Sequence, residues 1–183
     1  MAQPRKTAAR RARPARVDAI SLLKQDHRDV EDLFTQFRKA RAGARKAALA
    51  ERICSALAVH AQIEEEIFYP AFASSNEDPA LHHEAIIEHE GVKNLIRAIE
   101  AKGPDDEYFD ARVKVLCEMV SHHVKEEERP GGMFSEARAA KLDLVELGAQ
   151  LATRKSELTG KRVPGARRSA PLRPDQITWM MPV

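Results

Sequence analysis

Apolar residues recur every three or four positions through most of the chain, and the period is helical throughout. Ile20, Leu23, Val30, Phe34 and Phe37 make the first stripe, behind Asp18, a favourable N-cap. They predict a helix over 18–42, ended by Gly43. Ile53, Leu57 and Ile67 predict a second helix over 44–69, before the loop-like stretch YPAFASSNEDP. Asp78 and Pro79 suit the N-cap and first turn of a third helix over 79–101, striped by Ile86, Val92, Ile96 and Ile99. KGPDD separates it from a fourth over 105–129, striped by Val113, Leu116 and Val120. RPGG is a strong stop, and Leu142, Val145 and Leu151 place a fifth helix over 134–158. Nothing reads as a strand. Four long helices with short connections predict an all-α fold, an antiparallel up-down-up-down four-helix bundle with an additional C-terminal helix.

Charge divides the chain differently. Residues 17–153 carry a net charge of −9, whereas the flanks 1–16 and 154–183 together carry +11. The expected organisation is a basic disordered tail over 1–16, a helical bundle over 17–158 and a flexible C-terminal tail over 159–183. That tail ends in the apolar ITWMMPV, which could dock onto an unidentified partner. No apolar run reaches the roughly 18 residues needed to span a bilayer, and no secretory signal opens the chain. The acid-free basic start only faintly suggests an organellar transit segment, so the expected location is cytoplasmic. Cys54 and Cys117 stand far apart in no CxxC pair and read as free thiols in a reducing compartment.

Several polar residues fall inside the apolar stripes. His27 lies in line with the first, and His89 with the third. His60 and Glu64 both occupy inward positions of the second helix, and His123 and Glu127 do so in the fourth. The stripe selects His123 over His122, and Glu127 over its acidic neighbours. His82, His83 and His122 read as surface or supporting residues, and Glu65, Glu66, Glu126 and Glu128 as solvated. A lone HxxxE is ordinary helix-surface chemistry. Two buried carboxylates beside four buried histidines are a different matter, because each unpaired charge costs several kcal/mol. A metal ion supplies the missing positive charge. Residues at i and i+4 point the same way, so His Nε2 and a Glu oxygen can meet one ion.

The order His27, HAQIE from His60 to Glu64, His89, HVKEE from His123 to Glu127 resembles the hemerythrin-like, HHE cation-binding family over about residues 18–150. The resemblance implies a four-helix bundle holding a non-haem di-iron centre that meets O2, peroxide or related oxidants. His27, His60, His89 and His123 would bind metal, and Glu64 and Glu127 would bridge. The chain departs from the oxygen carriers of that family. They carry HxxxH in the third helix, where Ala85 stands four before His89, and they end on HxxxxD rather than an HxxxE.

Two six-coordinate ions need about twelve donors, and these six residues with an oxo or hydroxo bridge supply about ten. About two positions stay open, so peroxide turnover or oxygen or iron sensing is expected ahead of O2 transport. Tyr69 and Glu31 are further ligand candidates close in sequence. Iron suits mixed imidazole and carboxylate donors better than zinc, with manganese also open. The expected function is a di-iron protein handling O2 or H2O2, with catalase-like activity a possibility. The alternative is an O2, NO or iron sensor, or an iron store. Nucleic-acid binding through the basic tails is a lesser reading, since no aromatic and basic interleaving supports it.

Overall fold

The computed structural model describes residues 17–75 and 79–160. Among them are α1 (Ala19–Lys39), α2 (Gly43–Ile63), a π-helical turn (Glu64–Phe68), α3 (Tyr69–Ala73), α4 (Ala80–Lys102), α5 (Phe109–Glu128), α6 (Met133–Ala139) and α7 (Leu144–Thr159), with no strand. The expected tails over 1–16 and beyond Gly160, and the Asp78 cap, lie outside the described residues.

Helix boundaries follow local chemistry. Asp18 caps α1, its carboxylate accepting from the Ser21 amide at 2.9 Å. Asp143 caps α7 in the same way. Gly43 starts α2 rather than merely ending α1. YPAFA, expected as loop, is helical, because Pro70 sits in a first turn where its missing N–H costs nothing. The single helix expected over 134–158 is two, divided at Lys141, a residue with φ 57°.

α1 packs on α2, α2 on α4, α4 on α5 and α5 on α1, closing a ring of four. The pairings give their directions. His27 early in α1 meets His60 late in α2, and Phe37 late in α1 meets Phe109 early in α5. His89 in α4 meets His123 near the end of α5. Helices that pair in this way run antiparallel, and the all-α fold is as expected. α7 crosses outside the ring against α1 and α2. Gly148 permits this close crossing, since a Cβ there would lie 2.3 Å from the Val17 carbonyl oxygen.

Two apolar clusters fill the interior. One holds Phe34, Phe37, Ile53, Leu57, Ile96, Val113 and Leu116. The other holds Ile20, Leu23, Ile63, Phe68, Phe72, Met133 and Phe134. A polar layer lies between them. His27 follows Leu23 and precedes Val30, while His60 follows Leu57 and precedes Ile63. Cys54 is buried, which pushes its thiol up to about 12, and Cys117 is likewise free. No helix among the described residues is long and apolar enough to cross a membrane.

Candidate metal centre

The π turn sets the register of the site. In an α-helix, a residue five positions on lies about 140° round the axis. The wider turn from Glu64 to Phe68, closed by the Tyr69 amide on the Glu64 carbonyl, brings Tyr69 back to the face of Glu64. Uniform α spacing points Ile67 inward. The structure instead leaves Ile67 half-buried and buries Phe68 and Tyr69 completely.

The six predicted residues converge in one buried layer, none more than 6% exposed. His27 and His60 face each other with Nε2 atoms 3.2 Å apart, and His89 and His123 do the same at 3.2 Å. Each glutamate reaches one histidine of each pair. Glu64 Oε2 lies 3.1 Å from His60 Nε2 and 3.4 Å from His89 Nε2. Glu127 Oε2 lies 3.4 Å from His27 Nε2 and 3.7 Å from His123 Nε2. His27, His60 and Glu64 can hold one ion, their donor atoms lying within 4.8 Å of one another, and Glu64, His89 and His123 another.

Behind the histidines stands a set of carboxylates that the sequence reading missed. Glu128 Oε1 lies 2.8 Å from His27 Nδ1, Glu65 Oε1 lies 2.9 Å from His89 Nδ1, and Glu88 Oε2 lies 2.7 Å from His123 Nδ1. Asp26 Oδ2 stands 3.6 Å from His60 Nδ1, beyond hydrogen-bond reach, and both atoms lack another partner. The pattern is cyclic. α1 supports α2 through Asp26, the π turn supports α4 through Glu65, α4 supports α5 through Glu88, and α5 supports α1 through Glu128. Each supporting carboxylate is the sequence neighbour of a residue in the inner layer, and that adjacency was the available signal. Glu65 and Glu128 are therefore not simply solvated, as expected from their position off the stripe. Glu66 and Glu126 do stay outside the layer, bound by Arg154 and Arg129.

Of the further candidates, Tyr69 enters the site and Glu31 does not. The Tyr69 hydroxyl lies 3.1 Å from His89 Nε2, 3.2 Å from Glu127 Oε1 and 3.5 Å from Glu64 Oε2. Glu31 is exposed and paired with Arg28. Ala85 is buried against the second apolar cluster and supplies no donor where the oxygen carriers have a histidine. Phe134 stacks on His27 with ring centroids 5.8 Å apart. His82 meets the Tyr69 ring edge-on, while His122 stands mostly exposed beside Glu88.

The electrostatics call for cations. A carboxylate behind a histidine holds the proton on Nδ1 and turns the Nε2 lone pair inward. Two lone pairs 3.2 Å apart repel unless a proton or metal ion lies between them. Burial opposes charge on His60, but Glu64 and Asp26 outweigh it and push the imidazole up to about 10. Burial, then the nearby His60, pushes His27 down to about 4. The second pair repeats the split. His123 is raised against its burial by Glu127 and Glu88, and His89 is lowered by burial. Burial also works against ionised Glu64, which His60 nevertheless holds below the ordinary range. Burial and then Glu64 itself drive Glu127 upward. Without positive ions, this layer cannot keep both carboxylates charged. Glu64 Oε1 and Glu127 Oε2 are buried without a hydrogen-bond partner, so the donor set fits metal.

A cavity of about 20 Å³ adjoins the layer, lined by the four histidines with Val30, Leu57, Val92 and Val120 among its walls. It has room for about one water or a molecule of similar size.

Three comparisons bear on this arrangement. A crystal structure of a hemerythrin HHE cation binding domain-containing protein of Mycobacterium kansasii, an Rv2633c homolog, superposes with a TM-score of 0.66. That match covers 77% of this chain and 86% of the other at 23% identity, a likeness of fold. A DNA nickase of Nostoc sp. (strain PCC 7120) is 29% identical over 110 residues, or 58% of this chain. The matched region is only 30% of the nickase's length. The profile of the hemerythrin HHE cation binding domain matches residues 18–130. The chain belongs to the hemerythrin HHE cation-binding domain family.

Proposed function

We propose that the buried layer binds two iron ions and that the protein handles O2 or peroxide there, with peroxide turnover ahead of oxygen carriage. His27, His60, His89 and His123 would be the imidazole ligands, and Glu64 and Glu127 would bridge. The observation that carries this reading is the pairing itself. Two Nε2 pairs, each spanned by the same two carboxylates, make two metal positions with shared oxygen donors. Mixed imidazole and carboxylate donors suit iron, and manganese fits the same set. Ala85 leaves the α4–α5 half one donor poorer than an oxygen carrier, which favours ligand exchange over simple carriage.

Bound there, iron supplies the Lewis-acid and redox chemistry that peroxide or O2 requires. The chain's own residues do the rest. The four supporting carboxylates fix the imidazole rings. Val30, Leu57, Val92 and Val120 keep bulk water from the adjoining cavity. Tyr69 holds a proton on Oη. Burial and then Glu127 and Glu64 raise its pKa well above the ordinary value, so the hydroxyl stays neutral with three acceptors in reach. It is placed to hold a proton at the inner face of the layer and to pass it to the groups around it.

The test is to produce the chain in iron-replete medium, measure metal per chain with the ultraviolet–visible spectrum, and follow O2 release on adding peroxide. About two irons per chain with oxo-bridge absorption and O2 release is the expected result. Iron without turnover would move the assignment to a sensor or a store. A folded chain that takes no metal would return the His and Glu layer to structural hydrogen bonding.

A further inference from the structure

We propose that Glu84, Glu88 and His122 form an outer cation site that loads the buried centre. The inference rests on the metal-binding reading above and adds a route into it.

Glu84 and Glu88 lie one turn apart on α4, and His122 comes from α5. Their donor atoms lie within 4.8 Å of one another. Glu84 and His122 are exposed and Glu88 is half-buried, so a hydrated cation can reach all three. Two carboxylates and an imidazole are a donor set for Fe2+ or Mn2+, and with exposed side chains the site is one that releases as well as binds.

Two independent observations connect this cluster to the interior. The first is Glu88, which faces both ways. Its Oε1 lies 3.3 Å from His122 Nε2, and its Oε2 lies 2.7 Å from Nδ1 of the inner His123. A cavity runs beside it, lined by Glu84, Glu88 and Glu126 toward the surface and by His123 and Glu127 inside. Glu127 is 3% exposed and has a carboxylate oxygen without a hydrogen-bond partner. Acidic donors thus continue from solvent to the buried layer along this side. Glu126 in that lining is held by Arg129 at 2.5 Å.

The second observation is charge. Four carboxylates back the four histidines, and three of them are paired with a cationic side chain. Asp26 pairs with Lys155, Glu65 with Lys93, and Glu128 with Lys24 and Arg28. Each of those three approaches presents a fixed positive charge to an arriving cation. Glu88 is the exception among the described residues. Its ion-pair partners are His122 and His123, with Glu84 alongside. An arriving cation therefore meets an acidic group beside histidines at Glu88, and a lysine or arginine beside each of the other three carboxylates.

The experiment follows anaerobic Fe2+ uptake by the full metal-free chain, using the Glu84→Gln, His122→Gln double variant. Glu88 is kept, because it supports His123. Glu118→Gln, an exposed acid elsewhere on α5, controls for loss of charge. Uptake slowed by about tenfold or more, with final iron content unchanged and the control loading normally, is the expected result. Wild-type uptake rates in the double variant would overturn the loading role and leave the buried centre intact. A lower final iron content would also overturn it, by making His122 part of the centre's support. Failure of the wild type to take up iron at all would remove both this route and the centre it serves. As a second readout, Mn2+ should broaden the His122 imidazole resonances of a Glu64→Gln chain. Absence of broadening would refute the outer site directly.

Discussion

The two halves of the metal layer have the same inner wiring and different exteriors. In the α1–α2 half, His27 and His60 face each other at 3.2 Å, and so do His89 and His123 in the α4–α5 half. Each pair has one raised and one lowered imidazole, and each raised one belongs to an HxxxE pair. Outside, the likeness ends. The α1–α2 half lies under α7. Phe134 covers the His27 ring, Lys155 holds Asp26, and Arg154 holds Glu66 at 2.6 Å. On the α4–α5 half, α6 packs against α5, and a cavity lined by Met133 and Glu88 reaches His123 and Glu127. In the proposed reading, the pseudo-symmetric core fixes where ions would sit, and the asymmetric shell would decide which of the two positions exchanges with solvent.

The sharpest way to break this comparison is to remove what the halves share. Glu64 belongs to both candidate metal groups, and Glu127 to neither. Glu64→Gln is expected to empty both positions. Breaking a buried charged set by removing one member costs about 3–5 kcal/mol, or roughly two to three and a half powers of ten in affinity. Glu127→Gln is expected to leave about two ions per chain, bound more weakly, since both compact groups survive it. Metal analysis of the purified variants separates the two outcomes, and equal losses would dissolve the distinction between the glutamates.

Acid tests the same wiring with protons in place of metal. His60 is raised to about 10 and His123 is raised from 6.5, so below pH 6.5 both hold protons in the metal-free chain. Metal must displace one from each half, and a third from Glu127, which burial and then Glu64 raise to about 8. Affinity for the pair of ions therefore falls as pH falls below 6.5, because about three protons compete. His27 adds a further proton only near 4. A pH-stat titration during loading below pH 6.5 should release about three protons per chain. Release of only one would mean that the halves are not both wired as described.

Much of this was legible in the sequence because burial and helical period agree. Ile20, Leu23 and Val30 define a face, and His27 falls on it. The same logic places His60, His89 and His123, and it chose His123 over His122 correctly, as their burial differs sharply. Three things were not legible. The π turn breaks the α period, so Phe68 and Tyr69 replace Ile67 inside. The supporting carboxylates sit beside the stripe rather than on it. Periodicity assigns such residues to solvent, and only a neighbouring helix shows that Glu65 and Glu88 reach across to His89 and His123. The division of the last helix at Lys141 depends on a left-handed backbone that no strong local signal announced.

The supporting carboxylates sharpen the comparison at a smaller scale. Glu65→Gln and Glu88→Gln each remove a tight contact in the α4–α5 half, at 2.9 and 2.7 Å. Each is expected to weaken metal binding about 10–100-fold, the usual effect of losing such a partner.

The smallest effect belongs to Asp26, the one member of the ring that does not close. Its Oδ2 stands 3.6 Å from His60 Nδ1, while Lys155 of α7 occupies Oδ1. Asp26 is held below the ordinary carboxylate range, because His60 and Lys155 outweigh its burial. It therefore keeps its charge but makes the loosest contact with the histidine it backs. Asp26→Asn should lower affinity by less than Glu65→Gln, close to the lower end of the 10–100-fold range. Lys155→Met should lower it less still, since the carboxylate remains and only its tether to α7 is lost. Competitive chelator titrations of the three variants give the ranking. If Asp26→Asn matched Glu65→Gln, the His60 contact would close on metal binding, and α7 would be drawn into the centre rather than lying over it. If Lys155→Met alone changed nothing, α7 would act as cover for the α1–α2 half without steering it.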